Sequence, residues 1–373
     1  MPTEKKLRII HTEASPHWGG QEIRIFEEMK WFRDQGHEMI LIAPDNGTLY
    51  QRCKDAGFEV ISVYFTKPRT LLNILIMLWV LWRLKPDVVG THSSTDSWAG
   101  LLAAFLLKIR KRIRYRHVSA PVKRNSLNKL QYRKLATNVI TTGDCISFPL
   151  IDNLQLPASN VATIPTPINS SQSLPLHKDA KRRVQHNLGL PYHINFIGQV
   201  SVLRSWKGLN ILIDAFNLLA EIIPDYHLLI VGDGPKLYEL EMIRNQSLHK
   251  KRIHLLGHKK EPMIYMRAMD LVILASTKNE GIPQSLLQAM YSKVPALGTN
   301  IGGIPEIIKD QETGLLANAN CADSLVAQIK LILKNSSLQR KLTTNAYEFV
   351  VDNFDRKKLG ARIENIFLED QDL

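Results

Sequence analysis

Cysteine is scarce in this chain: Cys53, Cys145 and Cys321 are the only three, far apart and without a CxxC spacing. An odd, scattered set argues against a disulfide framework or a structural zinc site and fits a reducing cytoplasm. Long apolar runs are missing too. The longest, Leu71 to Trp82 (LLNILIMLWVLW), holds twelve residues with one Asn, short of the ~20 that a spanning helix needs. It reads either as a helix buried against a sheet or as one lying in a membrane interface, since Trp79 and Trp82 precede Arg83 and Lys85. The opening MPTEKKLRIIHTEAS contains no apolar signal region and no small-residue cleavage site, so export is not expected. Acidic residues are outnumbered, 35 Asp and Glu against 48 Lys and Arg, which leaves a net charge of +13. Such a balance favours acidic partners: nucleic acid, an anionic membrane surface or phosphate-bearing substrates. No recognised nucleic-acid-binding motif accompanies the charge.

What the chain has throughout is alternation. A length of 373 residues, 45% of them hydrophobic and 22% charged, suits a soluble globular protein of two domains. Strands are expected at LRIIHT (7–12), EMILIAP (38–44), VISVY (60–64), DVVGTH (87–92), IRYRHV (113–118), NVITTG (138–143) and NVATIP (160–165). Helical stretches such as 21–35 and 97–108 lie between them, which implies right-handed crossovers and a parallel sheet with helices on both faces. Residues 168–191, rich in Ser, Pro and charge, read as a linker and a short basic helix. The alternation then resumes with INFIGQV (194–200), YHLLIVG (226–232), IHLLG (253–257), DLVILAS (270–276) and VPALGT (294–299). The expected domains are 1–175 and 188–350, with a helix over 351–373 that folds back on the first.

Ligands of such sheets bind beyond the carboxyl ends of the strands, so the turns there carry the candidates. After the strand ending near Ser276 comes EGIPQSLLQAM (280–290). Pro283 suits the first turn of a helix, and the amides of Gln284, Ser285 and Leu286 would point from its N-terminus, an anion site. Glu280 ahead of it and Gln288 within it could meet sugar hydroxyls. An ordinary loop-to-helix junction is the plainer alternative. In LRSWKG (203–208), Arg204 and Lys207 lie three apart, either as a diphosphate clamp or as two solvated charges. Gly302 and Gly303 occupy a third strand-to-helix turn, where glycine permits close backbone approach. In the first half, Gly19 and Gly20 sit between the first strand and helix, with no GxGxxG fingerprint. His92 and His117 fall at strand ends, as structural or cleft-facing residues; the other histidines read as surface residues. The single DxD, Asp370-Gln371-Asp372, lies in the tail, so a carboxylate-bound metal is not expected.

Together WGGQE (18–22), HVSAP (117–121), LRSWKG, VGDGP (231–235), EGIPQSLLQAM and GGIPEII (302–308) resemble the family 4 (group 1) retaining glycosyltransferases. That resemblance implies an α/β fold of GT-B architecture, two facing Rossmann-like doubly wound domains with a deep interdomain cleft. It implies an acceptor-binding N-terminal domain and a donor-binding C-terminal one. Glu280 matches the first glutamate of the family's E-x7-E motif, which contacts the donor sugar. Gln288 stands where the second glutamate usually binds the ribose, a departure. Lys207 matches the phosphate-binding lysine; the accompanying arginine often lies five or six positions earlier, where Ser201 and Val202 stand, so Arg204 is the substitute. His117 matches the histidine near the reacting sugar, and Gly19 and Gly20 the loop near the donor phosphates and acceptor.

The implied reaction moves a sugar from a nucleoside diphosphate with retention at the anomeric carbon. Arg204, Lys207 and the helix start after Glu280 would stabilise the charge developing on the leaving diphosphate, so no metal or other cofactor is expected. No general base is assigned; the leaving phosphate is itself a candidate for the proton. The basic run Lys108 to Arg116, with Lys123 and Arg124, would suit an anionic lipid-linked or lipopolysaccharide acceptor, or serve only as a solubilising surface. The expected setting is cytoplasmic, peripheral on the inner face of the plasma membrane, in cell-surface polysaccharide or lipopolysaccharide biosynthesis. Two alternatives remain: a nucleotide-sugar epimerase, which needs no acceptor, and a non-catalytic homologue that binds nucleotide or a partner.

Overall fold

The computed structural model describes residues 6–169 and 173–369; Asp370-Gln371-Asp372 lies outside them. The chain forms two units. One comprises Met1–Pro167 with Arg356–Leu373, the other Ile168–Asp355. Each is built on one parallel sheet. The first contains β1 (Arg8–Thr12), β2 (Glu38–Ala43), β3 (Glu59–Ser62), β4 (Val88–Thr91), β5 (Lys111–Arg116), β6 (Asn138–Thr141) and β7 (Val161–Thr163). The second contains β8 (Asn195–Val200), β9 (Tyr226–Val231), β10 (Ile253–Leu255), β11 (Leu271–Leu274), β12 (Ala296–Thr299) and β13 (Leu315–Ala317).

The strand orders are β3-β2-β1-β4-β5-β6-β7 and β10-β9-β8-β11-β12-β13. Both reverse direction once, between β1 and β4 and between β8 and β11. At such a point the neighbouring connections leave to opposite faces and open a crevice at the strand ends. Helices cover both faces, so the inner strands read as continuous apolar runs: Leu228, Leu229, Ile230 and Val231 are all buried. The expected strands are all present. Strand β13, only three residues long, was not expected from the sequence.

Two helices differ from a simple covering layer. Thr70–Leu84 buries Asn73, Met77, Val80 and Leu81, one face at helical spacing. Its other face stays in solvent: Leu71 is 80% exposed, Leu75 64%, Trp79 57% and Trp82 63%. The helix is thus half buried against its sheet. Arg356–Leu368 belongs to the first unit. It buries Leu359, Ile363 and Phe367, stacks Phe367 on Phe32 and bonds Glu364 to His37 at 2.7 Å. Among the described residues no helix is long and apolar enough to cross a membrane.

Candidate functional site

In the second unit, three strand ends converge on Glu280. The turn after β8 closes at Gly208, whose φ is +63° and whose position leaves no room for a Cβ beneath the Ala275 carbonyl. Glycine there lets the turn lie against the end of β11, and Thr277 N–H donates to the Trp206 carbonyl at 2.8 Å. Lys207 is thereby brought to Glu280, its Nζ 2.7 and 2.9 Å from the two carboxylate oxygens. Ser276 Oγ donates to the same carboxylate at 2.8 Å. The Glu280 backbone is held from β12: Gly303 N–H donates to its carbonyl at 3.1 Å, and Gly302, at φ +56°, lies where a Cβ would overlap that oxygen. Arg204 lies three residues before Lys207, exposed, its guanidinium 5.3 Å from the Trp206 ring centre.

The helix after Glu280 runs Gln284–Tyr291, and Pro283 is its N-cap, one position before the first turn where the sequence placed it. The amides of Gln284, Ser285 and Leu286 precede the first full turn. Leu286 N–H, however, turns back to the Pro283 carbonyl at 3.2 Å and its side chain is buried. The expected set of three amides is therefore broken at Leu286, whose N–H is taken up as the first turn tightens into an i→i−3 bond. Gln288 lies one turn in from Gln284, half-buried.

In the first unit, Gly19 is the N-cap and Gly20 the first residue of the helix Gly20–Asp34. Glu22 accepts from Gly19 N–H at 2.8 Å, and a Cβ on Gly20 would meet nothing within 4 Å. His92 and His117 each follow directly on a strand, β4 and β5, and hydrogen-bond to one another, Nδ1 to Nε2, at 2.9 Å. His11, in β1, joins them at 2.8 Å from His92 Nε2. Burial holds all three below the usual histidine range, His92 and His117 far below it.

Two expectations fail here. Histidines other than His92 and His117 are not all on the surface: His11, His37 and His227 are buried, because each lies in or beside a parallel strand covered on both faces. Nor is Lys108–Arg116 a free basic surface. Its Lys111–Arg116 part forms β5, with Lys111 and Arg114 buried. Arg112 donates to the carbonyls of Leu135 and Ile109, Arg114 to that of His92, and Arg116 to that of Ala120. Of that basic set, Lys108 ahead of the strand and Lys123 and Arg124 on the following loop are exposed.

Comparison with known proteins decides the family. The model for glycosyl transferases group 1 matches residues 181–349 and that for glycosyltransferase family 4 matches 18–172. The chain is 24% identical over 385 residues to the UDP-Gal:alpha-D-GlcNAc-diphosphoundecaprenol alpha-1,3-galactosyltransferase of Escherichia coli, covering 98% of each. The chain belongs to the group 1, family 4 glycosyltransferases. Over 172 residues, 46% of this chain and 44% of the relative, it is 31% identical to the N-acetyl-alpha-D-glucosaminyl L-malate synthase of Bacillus anthracis. The Anabaena HepE protein, solved in complex with UDP-glucose, shares the fold with a TM-score of 0.84 at 20% identity, over 96% of this chain and 99% of that one.

This glycosyltransferase is a GT-B α/β protein that acts on nucleotide sugars. Its second unit gathers a cation, a carboxylate and a helix start within one turn region at the β8–β11 reversal. Sequence reasoning missed two of the supports there. Ser276 closes β11, and Gln199, fully buried in β8, accepts from Ala275 N–H at 3.2 Å and donates to the Lys207 carbonyl at 3.1 Å. A polar residue inside the apolar run INFIGQV is the signal that marks Gln199. In the first unit it missed His11, Glu28 and Tyr115, of which His11 interrupts an apolar strand in the same way.

Proposed function

We propose that this glycosyltransferase moves a hexosyl group from a uridine-diphosphate sugar, with retention and without a bound metal, to a hydroxyl of a lipid-linked glycan of the cell envelope. The observation that carries the donor reading is the Lys207–Glu280 pair ahead of the helix start at Gln284. A diphosphate there meets an ammonium, the Gln284 and Ser285 amides and the positive end of a helix dipole. Arg204, exposed beside the Trp206 ring, adds a second cation. In the reaction the bond from the anomeric carbon to the diphosphate breaks, the acceptor oxygen bonds to that carbon on the same face, and the leaving diphosphate takes the acceptor proton. Lys207, Arg204 and the helix start stabilise the charge that develops on the diphosphate. Glu280, Gln288, Gly302 and Gly303 frame the sugar and ribose; in the first unit, Gly19, Gly20, His92 and His117 line the substrate-facing strand ends.

The uridine base is supported by the donor named for the E. coli relative and by the UDP-glucose bound to the Anabaena protein. A lipid-linked acceptor is supported by the diphosphoundecaprenol in that relative's name. The exposed Leu71, Leu72, Leu75, Trp79 and Trp82 face points the same way. With Lys67, Arg69, Arg83 and Lys85 beside it, this face suits the surface of an anionic cytoplasmic leaflet.

A thermal-shift screen with UDP, GDP, ADP and CMP and their sugars, run in EDTA, tests the donor site. Ligand that binds only the native state raises stability in proportion to ln(1 + [L]/Kd). The expected result is a shift with UDP that survives EDTA and is lost in Lys207→Ala. No shift from any nucleotide in a folded sample overturns the reading. The anomeric configuration of the product, read by NMR, then tests retention.

A further inference from the structure

Three imidazoles, His11 and His92 buried and His117 partly so, form one line across the first unit. His11 Nδ1 lies 2.8 Å from His92 Nε2, and His92 Nδ1 lies 2.9 Å from His117 Nε2. The line follows from the sheet: β1, β4 and β5 are neighbours, so residues at their carboxyl ends stand one strand spacing apart. Gly90, opposite His11 in the β1–β4 register, makes the space; a Cβ there would come within 2.9 Å of His11 Nδ1 and 3.0 Å of the Tyr115 ring. The His92 ring stacks on Tyr115 with centres 4.3 Å apart and on His117 at 5.2 Å.

The two ends of the line differ. At one, His11 Nε2 makes no hydrogen bond but faces the Glu28 carboxylate, its Oε1 3.7 Å away; that carboxylate accepts the Tyr115 hydroxyl and lies 3.4 Å from Arg24 Nε. At the other, His117 Nδ1 is buried and has no hydrogen-bond partner among the described residues. Burial, followed by the positive charge of Arg24, Arg114 and Arg116, keeps His117 neutral, and burial does the same for His92 and His11. A neutral imidazole has one N–H and one lone pair. In a chain of three, the protons must therefore all point one way or all the other.

Glu28 breaks that tie. Inside a protein of low dielectric, an N–H dipole directed at a carboxylate is favoured over a lone pair directed at it. The proton of His11 thus sits on Nε2, which makes its Nδ1 an acceptor for His92 Nε2–H, and His92 Nδ1 an acceptor for His117 Nε2–H. We propose that Glu28, acting through His11 and His92, holds His117 as the Nε2–H tautomer, so that its buried Nδ1 accepts a hydrogen bond from a hydroxyl of the bound substrate. Glu28, His11 and His92 are positioning residues. The substrate half of this inference rests on the reading that His117 meets a sugar; the tautomer half does not. An acceptor fixed in this way demands a donor, so a sugar lacking the hydroxyl at that position is discriminated against.

The test is a long-range 1H–15N correlation spectrum of the full chain labelled with 15N-histidine, at pH 8, assigned with His→Gln variants. Nε2–H patterns for His11, His92 and His117 are expected; an Nδ1–H pattern for His117 overturns the proposal. In Glu28→Gln the His117 signal is expected to become a mixture of tautomers, with kcat lowered at least tenfold and UDP affinity unchanged. A single unchanged Nε2–H signal in that variant also overturns it. Should Glu28→Gln not fold, His92→Phe cuts the chain while keeping a ring in the stack: His11 stays Nε2–H and His117 becomes mixed, whereas a His117 still held in one tautomer sinks the idea. Full turnover in a folded His117→Ala enzyme would remove the substrate half, leaving the spectra as they were, so the two failures are told apart.

Discussion

Lys207 and Glu280 form a two-pronged ion pair, the ammonium 2.7 and 2.9 Å from the carboxylate oxygens, with the side chains only 15% and 7% exposed. The residues assigned to the donor phosphate and the donor sugar thus hold each other. Glu280→Ala is expected to abolish transfer while the protein stays folded, and near-normal turnover would exclude Glu280 from the site. Removing either partner leaves the other without its counter-charge in a mostly buried place. A double-mutant cycle with Lys207→Met and Glu280→Gln should give a coupling of about 1–3 kcal/mol in urea unfolding; strict additivity would show that the pair forms only transiently.

Gly302→Ala should be disproportionately costly for a surface turn. At φ +56° its Cβ would meet the Glu280 carbonyl oxygen, a backbone atom that cannot swing aside. A stability loss of about 1–3 kcal/mol is expected, together with weaker nucleotide binding in calorimetry. Unchanged affinity would separate the turn from the donor site.

Gln288→Glu tests the departure from the family pattern. A carboxylate offers charge-assisted bonds to a ribose diol, worth about 1–2 kcal/mol over the amide. Equal or tighter UDP binding is expected by calorimetry. Affinity lowered tenfold would mean that Gln288 is fitted to a different ligand.

The histidine line also sets a pH dependence. His11, His92 and His117 have folded-state pKa values below 6.5, so below that pH the unfolded chain binds protons that the folded one refuses, and stability falls with acidity. Asp96 acts in the opposite sense. Burial, aided by the Glu13 carboxylate, pushes it from 3.8 to about 7, so it favours the folded state increasingly as pH falls from about 7 towards 4. The buried histidines outnumber Asp96, and His227, lowered to about 4, and His254 act with them, so the balance in this range is destabilising. The apparent melting temperature should therefore drop between pH 6.5 and 5, less steeply in His92→Phe. A flat profile would mean that the histidines are not held neutral.

The strands were legible because parallel sheets covered on both faces need unbroken apolar runs, and those runs stand out as INFIGQV or YHLLIVG. Strand β13 was not, because Leu315–Ala317 is too short to show any period. Lys207 and Glu280 were legible as residues but not as partners, since 73 positions separate them and only the turn at Gly208 brings them together. The charge of β5 misled for a physical reason. A guanidinium can be buried when backbone carbonyls receive its protons, and nothing in KIRKRIRYR says where those carbonyls lie.

Gly360→Ala tests the return of the last helix to the first unit. A Cβ on Gly360 would overlap the Trp31 indole, and overpacking of that kind costs about 1–3 kcal/mol. The variant should melt earlier, and Trp31→Phe in the same chain should recover part of the loss; no change on melting would mean that the helix docks loosely.

That same return governs the order in which the protein is completed during synthesis. The second unit, Ile168–Asp355, is one continuous stretch and can close as soon as it leaves the ribosome. The unit made first must wait, because Leu359, Ile363 and Phe367, which seal Trp31 and Phe32, are translated after the whole of the second unit. Until they arrive the nascent chain carries a finished C-terminal body and an N-terminal one with an uncovered aromatic flank, the species a chaperone would meet.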